Sequence, residues 1–325
     1  MNILVTGGAG YIGSAISQAL IKAGYSVTVY DSLVTGHRGA VPEEALFVQA
    51  DLSDSHTLVK TLTDQNFDGV IHCAAFIEAG ESMKDPGRFY SNNLANSLAL
   101  IETAVRAGVK RFVLSSTAAV YQSSDEPLTE ESPLGPTNVY GHSKLMVEQV
   151  LDWYRKIHGL HFAALRYFNA AGALPGRGEA HQPESHLIPL VLRVPLGERD
   201  AGQIYGTDYP TPDGTCIRDY IHISDLVSAH LLALDGLGER DRLIYNLGSG
   251  NGYSVREVIE TARQVTGHRI PVIESPRRPG DSAILVASSE KIKSELGWKP
   301  DHDNLHEIIT SAWAWHKWHP KGYEA

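Results

Sequence analysis

The 325-residue chain is 42% hydrophobic and carries 28 basic against 38 acidic residues, a net charge of −10. That length accommodates one large domain or two ordinary ones around a sizeable core, and the acidic balance excludes a clustered polyanion-binding face, so no nucleic-acid partner is expected. No apolar run has the length that spans a bilayer, Cys73 and Cys216 suit reduced thiols rather than a disulfide framework, and a first strand opening at Asn2 leaves no room for a signal peptide, so the expectation is a cytoplasmic protein without a membrane partner.

Residues 2–5 read as a short apolar strand and residues 14–23 show helical periodicity. Between them Gly7, Gly10 and Gly13 follow a GxxGxxG spacing, with Tyr11 and Ile12 in the same turn. Gly7 lets the chain turn sharply off the strand, Gly10 removes a side chain that would block a pyrophosphate, and Gly13 lets the helix sit close to the sheet. An anion then rests on free N–H groups at the positive end of the helix. A second strand at 26–30 ends in Asp31, a carboxylate suited to an adenosine ribose. With no basic residue among Ser32, Leu33 and Val34 to hold a 2′-phosphate, the expected cofactor is NAD rather than NADP. A plain βα turn in another doubly wound fold is the competing use of these glycines.

Residues 46–48 look like a third strand leading to Asp51 and Leu52, and 54–62 like a helix. Asp51 is placed either to meet an adenine edge or to share helix capping with Ser53 and Asp54. A fourth strand at 68–72 runs into Cys73-Ala74-Ala75-Phe76, where small residues permit close approach. Residues 81–106 read as mostly helical, with Leu94, Leu98, Ile101 and Val105 on one face and Asn92, Asn93 and Asn96 nearby.

A fifth strand at 111–114 ends at Ser115-Ser116-Thr117, where an open α/β sheet binds its ligands; capping of loop amides is the alternative. After a loop at 133–136, a helix at 138–156 carries Tyr140 and Lys144 on one face at i and i+4. A free tyrosine has a pKa of about 10, which a nearby ammonium, joined by a positive nicotinamide ring, would lower. Taken alone, such a pair is more often a surface pair than a catalytic one.

Together these residues resemble the extended short-chain dehydrogenase/reductase superfamily, with its TGxxGxxG turn and its Ser/Thr, Tyr-xxx-Lys group. The resemblance implies Thr117 as the hydroxyl, Tyr140 as the base and Lys144 as its activator. It also implies cofactor contacts from the glycine turn, Asp31, Asp51, Leu52, Asn92, Tyr140, Lys144 and Tyr167.

Residues 160–166 form a sixth strand, and 167–172 mark the passage into a second region. A long functional loop follows at 173–185, then a short helix at 186–196. The block 204–222, with His186-Leu187-Ile188-Pro189 and Arg278-Pro279-Gly280-Asp281, is similar to the UDP-glucose 4-epimerase family over almost the whole chain. Two separated guanidinium forks suit a diphosphate. The resemblance implies Arg218 and Arg278 on that diphosphate, Asn169 on it or on the sugar, Tyr205 against uracil, Asp281 on the uridine ribose, and His186 and Thr117 among the sugar contacts. An Arg218–Asp219 loop salt bridge is the competing arrangement.

Some family members have lysine where this chain has Ile77, and asparagine where it has His186. Leu285 stands near a position that influences tolerance for an N-acetyl group. Helices at 223–234 and 255–265 flank a strand at 243–247, and Trp298 reads as a packing anchor. The irregular spacing of His302, His306, His316 and His319 favours a surface helix over a metal site, and no metal is expected.

The expected fold is an α/β doubly wound parallel sheet. Residues 1–170 would form the NAD domain, and 171–325 mainly a nucleotide-sugar lobe, with segments near 220–248 returning to the first. The implied activity is reversible 4-epimerisation of UDP-glucose and UDP-galactose through a transient 4-keto sugar, in a homodimer; the alternative is a 4-epimerase acting mainly on another UDP-sugar, an N-acetylhexosamine or a pentose. A dehydratase would need an acid directly after Thr117, where Ala118-Ala119 stand, and a non-catalytic NAD sensor would not need Tyr140 and Lys144.

Overall fold

In the computed structural model, which describes residues 1–124, 126–278 and 281–323, the apolar runs of the first half assemble into one parallel sheet. Its strands are β1 (Asn2–Thr6), β2 (Ser26–Asp31), β3 (Leu46–Gln49), β4 (Gly69–His72), β5 (Arg111–Thr117) and β6 (His161–Tyr167). The lateral order is β3-β2-β1-β4-β5-β6, extended on the β6 side by a seventh strand, residues 242–247. The order reverses between β1 and β4, and in open α/β sheets ligands bind at that switch point, beyond the carboxyl ends of the strands.

Helices α1 (Tyr11–Lys22) and α2 (Ser55–Asp64) follow β1 and β3. Asp54 caps α2, accepting from Thr57 N at 3.1 Å, so Asp51 is left to a turn of its own, accepting from Ser53 N at 2.8 Å. The single helix expected at 81–106 is broken. The chain makes α3 (Ala79–Ser82), α4 (Pro86–Phe89), a π-helical turn at Tyr90–Ala95 and α5 (Asn96–Arg106). Pro86 has no N–H with which to continue a helix, and Asp85 caps a new turn instead, accepting from Arg88 N at 3.1 Å. The wider π turn shifts the buried face onto Asn93, Ser97, Leu100, Ile101 and Ala104, so Leu98 is 42% exposed rather than part of the inward stripe.

Helix α6 (Val139–His158) begins where Asn138 accepts from Gly141 N at 2.8 Å and ends at Gly159, whose φ of 67° suits glycine. The second half contributes β7 (Asn169–Ala171), α7 (Leu187–Leu192), β8 (Gly202–Tyr205), β9 (Ile217–His222), α8 (Ile223–Gly236) and β10 (Arg242–Leu247). It continues with β11 (Gly252–Ser254), α9 (Val255–Thr266), β12 (Val272–Ser275), β13 (Ile284–Leu285), α10 (Glu290–Leu296) and α11 (Leu305–Trp318). β10 pairs with β6 in the large sheet, while β9 pairs with β7, β11 and β13, and β8 with β12.

Apolar side chains fill both faces of the large sheet, one against α1 and α8, the other against α2, α5 and α6. A separate core joins α7, α9 and α11 to β8 and β9. Trp298 is 1% exposed and donates to Asp225 O at 3.1 Å, the expected anchor. Among the described residues no helix is long and apolar enough to cross a membrane.

Candidate active site

The glycine turn after β1 is packed too tightly for side chains on the protein side. A Cβ on Gly13 would lie 2.2 Å from Gly7 O, and one on Gly7, at φ 74°, would lie 2.5 Å from Ala74 N. A Cβ on Gly10 meets only Gly7 O, at 3.3 Å, so that residue faces open space. Helix α1 starts there with no side-chain cap and no acidic residue in its first turn, which leaves the amides of that turn to an anion. At the end of β2, Asp31 is fixed by Ala9 N at 2.9 Å and Leu33 N at 2.8 Å. Burial raises its pKa despite those two donors.

A cleft of about 310 Å³ opens from this turn along the carboxyl ends of the strands. Its walls include the expected Gly7, Gly10, Tyr11, Ile12, Gly13, Asp31, Asp51, Leu52 and Asn92, and at the far end Thr117, Tyr140, Lys144 and Tyr167. The donor set fits a dinucleotide: amides for phosphates, a carboxylate for a ribose, and an apolar slot beyond Cys73-Ala74-Ala75.

Tyr140 and Lys144 descend from the first turns of α6 toward the end of β5. Lys144 is 3% exposed and donates to Ser115 O at 3.0 Å. Burial pulls its pKa down to about 8, against the opposing pull of Cys73 and Glu148. Tyr140 is pushed up to about 12, first by burial, with the Thr117 hydroxyl lowering it and the Glu78 carboxylate raising it. Burial in the protein alone thus disfavours both charges, and the lowering expected for Tyr140 is one that the ammonium would exert together with the positive nicotinamide ring.

A second cavity of about 280 Å³ adjoins the first and shares Asn169, Ala170 and His186 with it. It gathers the other expected substrate residues, Tyr205, Arg218, Arg278 and Asp281. The Arg278 guanidinium lies 3.8 Å from the Tyr205 ring centroid. Arg218 reaches Ser282 O at 2.9 Å and Asp281 at 3.4 Å. It does not pair with Asp219, whose buried carboxylate accepts from Ser249 N at 2.8 Å, Gly250 N at 3.1 Å and Ala287 N at 3.0 Å. Asn169 donates to Asp219 O at 2.7 Å, so this hub also sets the boundary residue between the cavities. Pro279 and Gly280 of the Arg278–Asp281 motif lie outside the described residues.

Ser115, from the hydroxyl cluster at the end of β5, positions Lys144 through its carbonyl. Two lining residues carry no sequence signal of their own: Glu78, in the loop after β4, puts its negative charge near the Tyr140 phenol, and Arg199 adds a third guanidinium to the second cavity. Glu179 and His181, from the loop at 173–185, complete one wall of the first cleft.

Residues 3–248 match the model of the NAD dependent epimerase/dehydratase family. A UDP-glucose 4-epimerase of Streptomyces lividans is 50% identical, with 99% of this chain and 98% of that protein covered. A crystal structure of a UDP-glucose 4-epimerase matches with a TM-score of 0.97 at 48% identity, covering 100% of both chains. The Bifidobacterium longum UDP-glucose 4-epimerase, solved in complex with NAD+ and UDP, matches at 0.94 and 37% identity over 99% of this chain and 100% of that one. With half its residues shared along its whole length, this chain belongs to the UDP-glucose 4-epimerases of the NAD dependent epimerase/dehydratase family.

Proposed function

We propose that this protein interconverts UDP-glucose and UDP-galactose by inverting the sugar C4, using NAD held in the first cleft. The observation that carries this reading is the meeting of two cavities: Tyr140, Lys144 and Thr117 end one, Arg218 and Arg278 line the other, and Asn169 and His186 belong to both. A nucleotide diphosphate gripped in the second cavity would thus present its sugar to the phenol.

When bound, NAD supplies a reversible two-electron acceptor and a positive ring beside Tyr140. Tyr140 Oη takes the proton of the 4-hydroxyl and later returns it. Thr117 orients the reacting oxygen. Lys144, already anchored to Ser115 O, adds positive charge beneath the phenol. Arg218, Arg278, Tyr205 and Asp281 hold the UDP end while the 4-keto sugar turns over its other face. Ala118 and Ala119 follow Thr117, where a dehydratase would place an acid.

We read residues 1–170 as the NAD domain and 171–325 as mainly the sugar-nucleotide lobe. The assembly is a cytoplasmic homodimer without nucleic acid. Support for pairing comes from exposed apolar side chains on two adjacent helices, Leu98 on α5 and Trp153 and Ile157 on α6, at 42%, 62% and 67% exposure; Tyr154 to Glu102 ties the two helices together. Sedimentation of W153E/I157E should give a monomer where the wild type gives a dimer, and a monomeric wild type defeats this part of the reading.

For the chemistry, purified protein should convert UDP-galactose to UDP-glucose without added cofactor. Tyr140→Phe should lower kcat by about 10²–10⁴-fold, the usual worth of a general base, with UDP binding little changed. Full turnover in that variant, or a 4-keto-6-deoxy product from the wild type, overturns the assignment.

A further inference from the structure

Four metal-ligating side chains converge on the loop preceding α7, outside any role the epimerase reading gives them as a group: Glu179, His181, Glu184 and His186. Their ligand atoms all lie within 4.8 Å of one another. Glu179 Oε1 is 2.7 Å from His181 Nδ1 and 2.8 Å from His186 Nδ1, and Glu184 Oε1 is also 2.8 Å from His186 Nδ1. One imidazole nitrogen carries a single proton, so it cannot satisfy two carboxylate oxygens fully at that distance.

Burial makes the arrangement costly as it stands. The Glu179 and Glu184 side chains are 6% and 1% exposed, and among the described residues neither pairs with a lysine or arginine. Glu184 Oε1 also accepts from Ser185 N and His186 N at 2.7 Å each. Two carboxylates largely withdrawn from water favour cationic partners, and among the described residues only partly exposed imidazoles are offered.

We infer that Glu179, His181, Glu184 and His186 form a binding site for one divalent first-row transition ion, with zinc as the best match. Two imidazole nitrogens and two carboxylate oxygens suit zinc, whereas calcium and magnesium prefer all-oxygen sets. Zinc–ligand distances near 2.1 Å place tetrahedral ligand atoms about 3.4 Å apart. Entry of the ion would thus release the shared imidazole proton to solvent and part the 2.7–2.8 Å contacts by about 0.6–0.7 Å. Because Glu179 and His181 line the first cleft and His186 lines both cavities, the ion would pin the loop wall that faces the sugar end of the site.

The test uses the full-length protein with its cofactor bound, treated with chelator and then dialysed against zinc. Elemental analysis should return one saturable equivalent per chain in the micromolar range, and cobalt in its place should give the intense visible band of a tetrahedral site. Glu179→Gln and His181→Ala should each weaken zinc binding at least tenfold. His181 is partly exposed, so its variant should keep the wild-type thermal transition and cofactor content, which separates lost ligation from lost folding. The absence of a saturable equivalent overturns the site. So does undiminished binding in both variants, which would move the ion to the histidines of α11. Metal content is read independently of turnover, so failure here leaves the UDP-galactose assay to judge the epimerase reading separately.

Discussion

Arg166 and Glu148 form a buried ion pair beneath the catalytic helix, with side chains 3% and 4% exposed and a closest approach of 2.6 Å. Burial works against the Arg166 charge, but the Glu148 carboxylate overrides it and holds the guanidinium above its usual range. Arg166 also donates to Tyr121 Oη at 2.9 Å, and Ser116 donates to Glu148. Glu148 stands one turn beyond Lys144 on α6, so the pair fixes the charge seen by the ammonium from below. Arg166→Met should therefore cost about 3–5 kcal/mol, because it strands a buried carboxylate, and adding Glu148→Leu should restore most of that loss; urea denaturation of the single and double variants measures both. Equal stability of wild type and Arg166→Met would contradict this account. Tyr140 and Lys144 were legible in the sequence because one helical turn separates them and the periodicity of α6 fixes their face. The Glu148–Arg166 pair and the Lys144–Ser115 contact were not. Each joins α6 to a strand distant in sequence, and only the packing of α6 across β5 and β6 brings them together.

At the scale of elements, legibility followed how local the determinant is. The β1–α1 turn is written in three glycines whose spacing has one packed solution, and α6 is bracketed by Asn138 and Gly159, both readable as caps. The break between α3 and α5 was missed because the apolar spacing runs on through Pro86, and the π turn that reorients the face leaves no composition cue. Strands β7, β9 and β13 were also weakly marked: β7 and β13 are only three and two residues long, and their partners on β9 are distant in sequence, Asn169 pairing with Tyr220 and Ile284 with Ile217. Their alignment depends on Asp219, a residue that reads in sequence as a partner for its neighbour Arg218 and in fact ties down Ser249, Gly250 and Ala287. The loop at 173–185 was readable as long and polar, but the convergence of its glutamates and histidines has no period to reveal it.

The whole molecule buries three histidines in neutral form, and this sets its acid response. His72, between Thr6 Oγ1 and Ser97 Oγ at 2.7 Å each, is pulled by burial down to about 3. Burial brings His222 and His230 down to about 4. In the unfolded chain each titrates near 6.5. As pH falls through 6.5 the unfolded state takes up three protons that the native state refuses, so their contribution is complete above that pH and is lost progressively below it. His186, raised by its carboxylates, has the opposite sign: it is already charged in the native state while the unfolded ring still gains its proton near 6.5, so its contribution grows as pH falls through this window and offsets part of the loss. Each neutral histidine is worth about 1.2 kcal/mol between pH 7 and 5.5, and with His186 opposing the three of them stability to urea should drop by about 2–3 kcal/mol over that interval. His72→Asn should be less stable at pH 7 yet lose about 1.2 kcal/mol less on acidification. A wild-type stability that is flat from pH 7 to 5.5 would mean that these rings are charged in the folded protein, and the same acid loss in His72→Asn would remove His72 from the set.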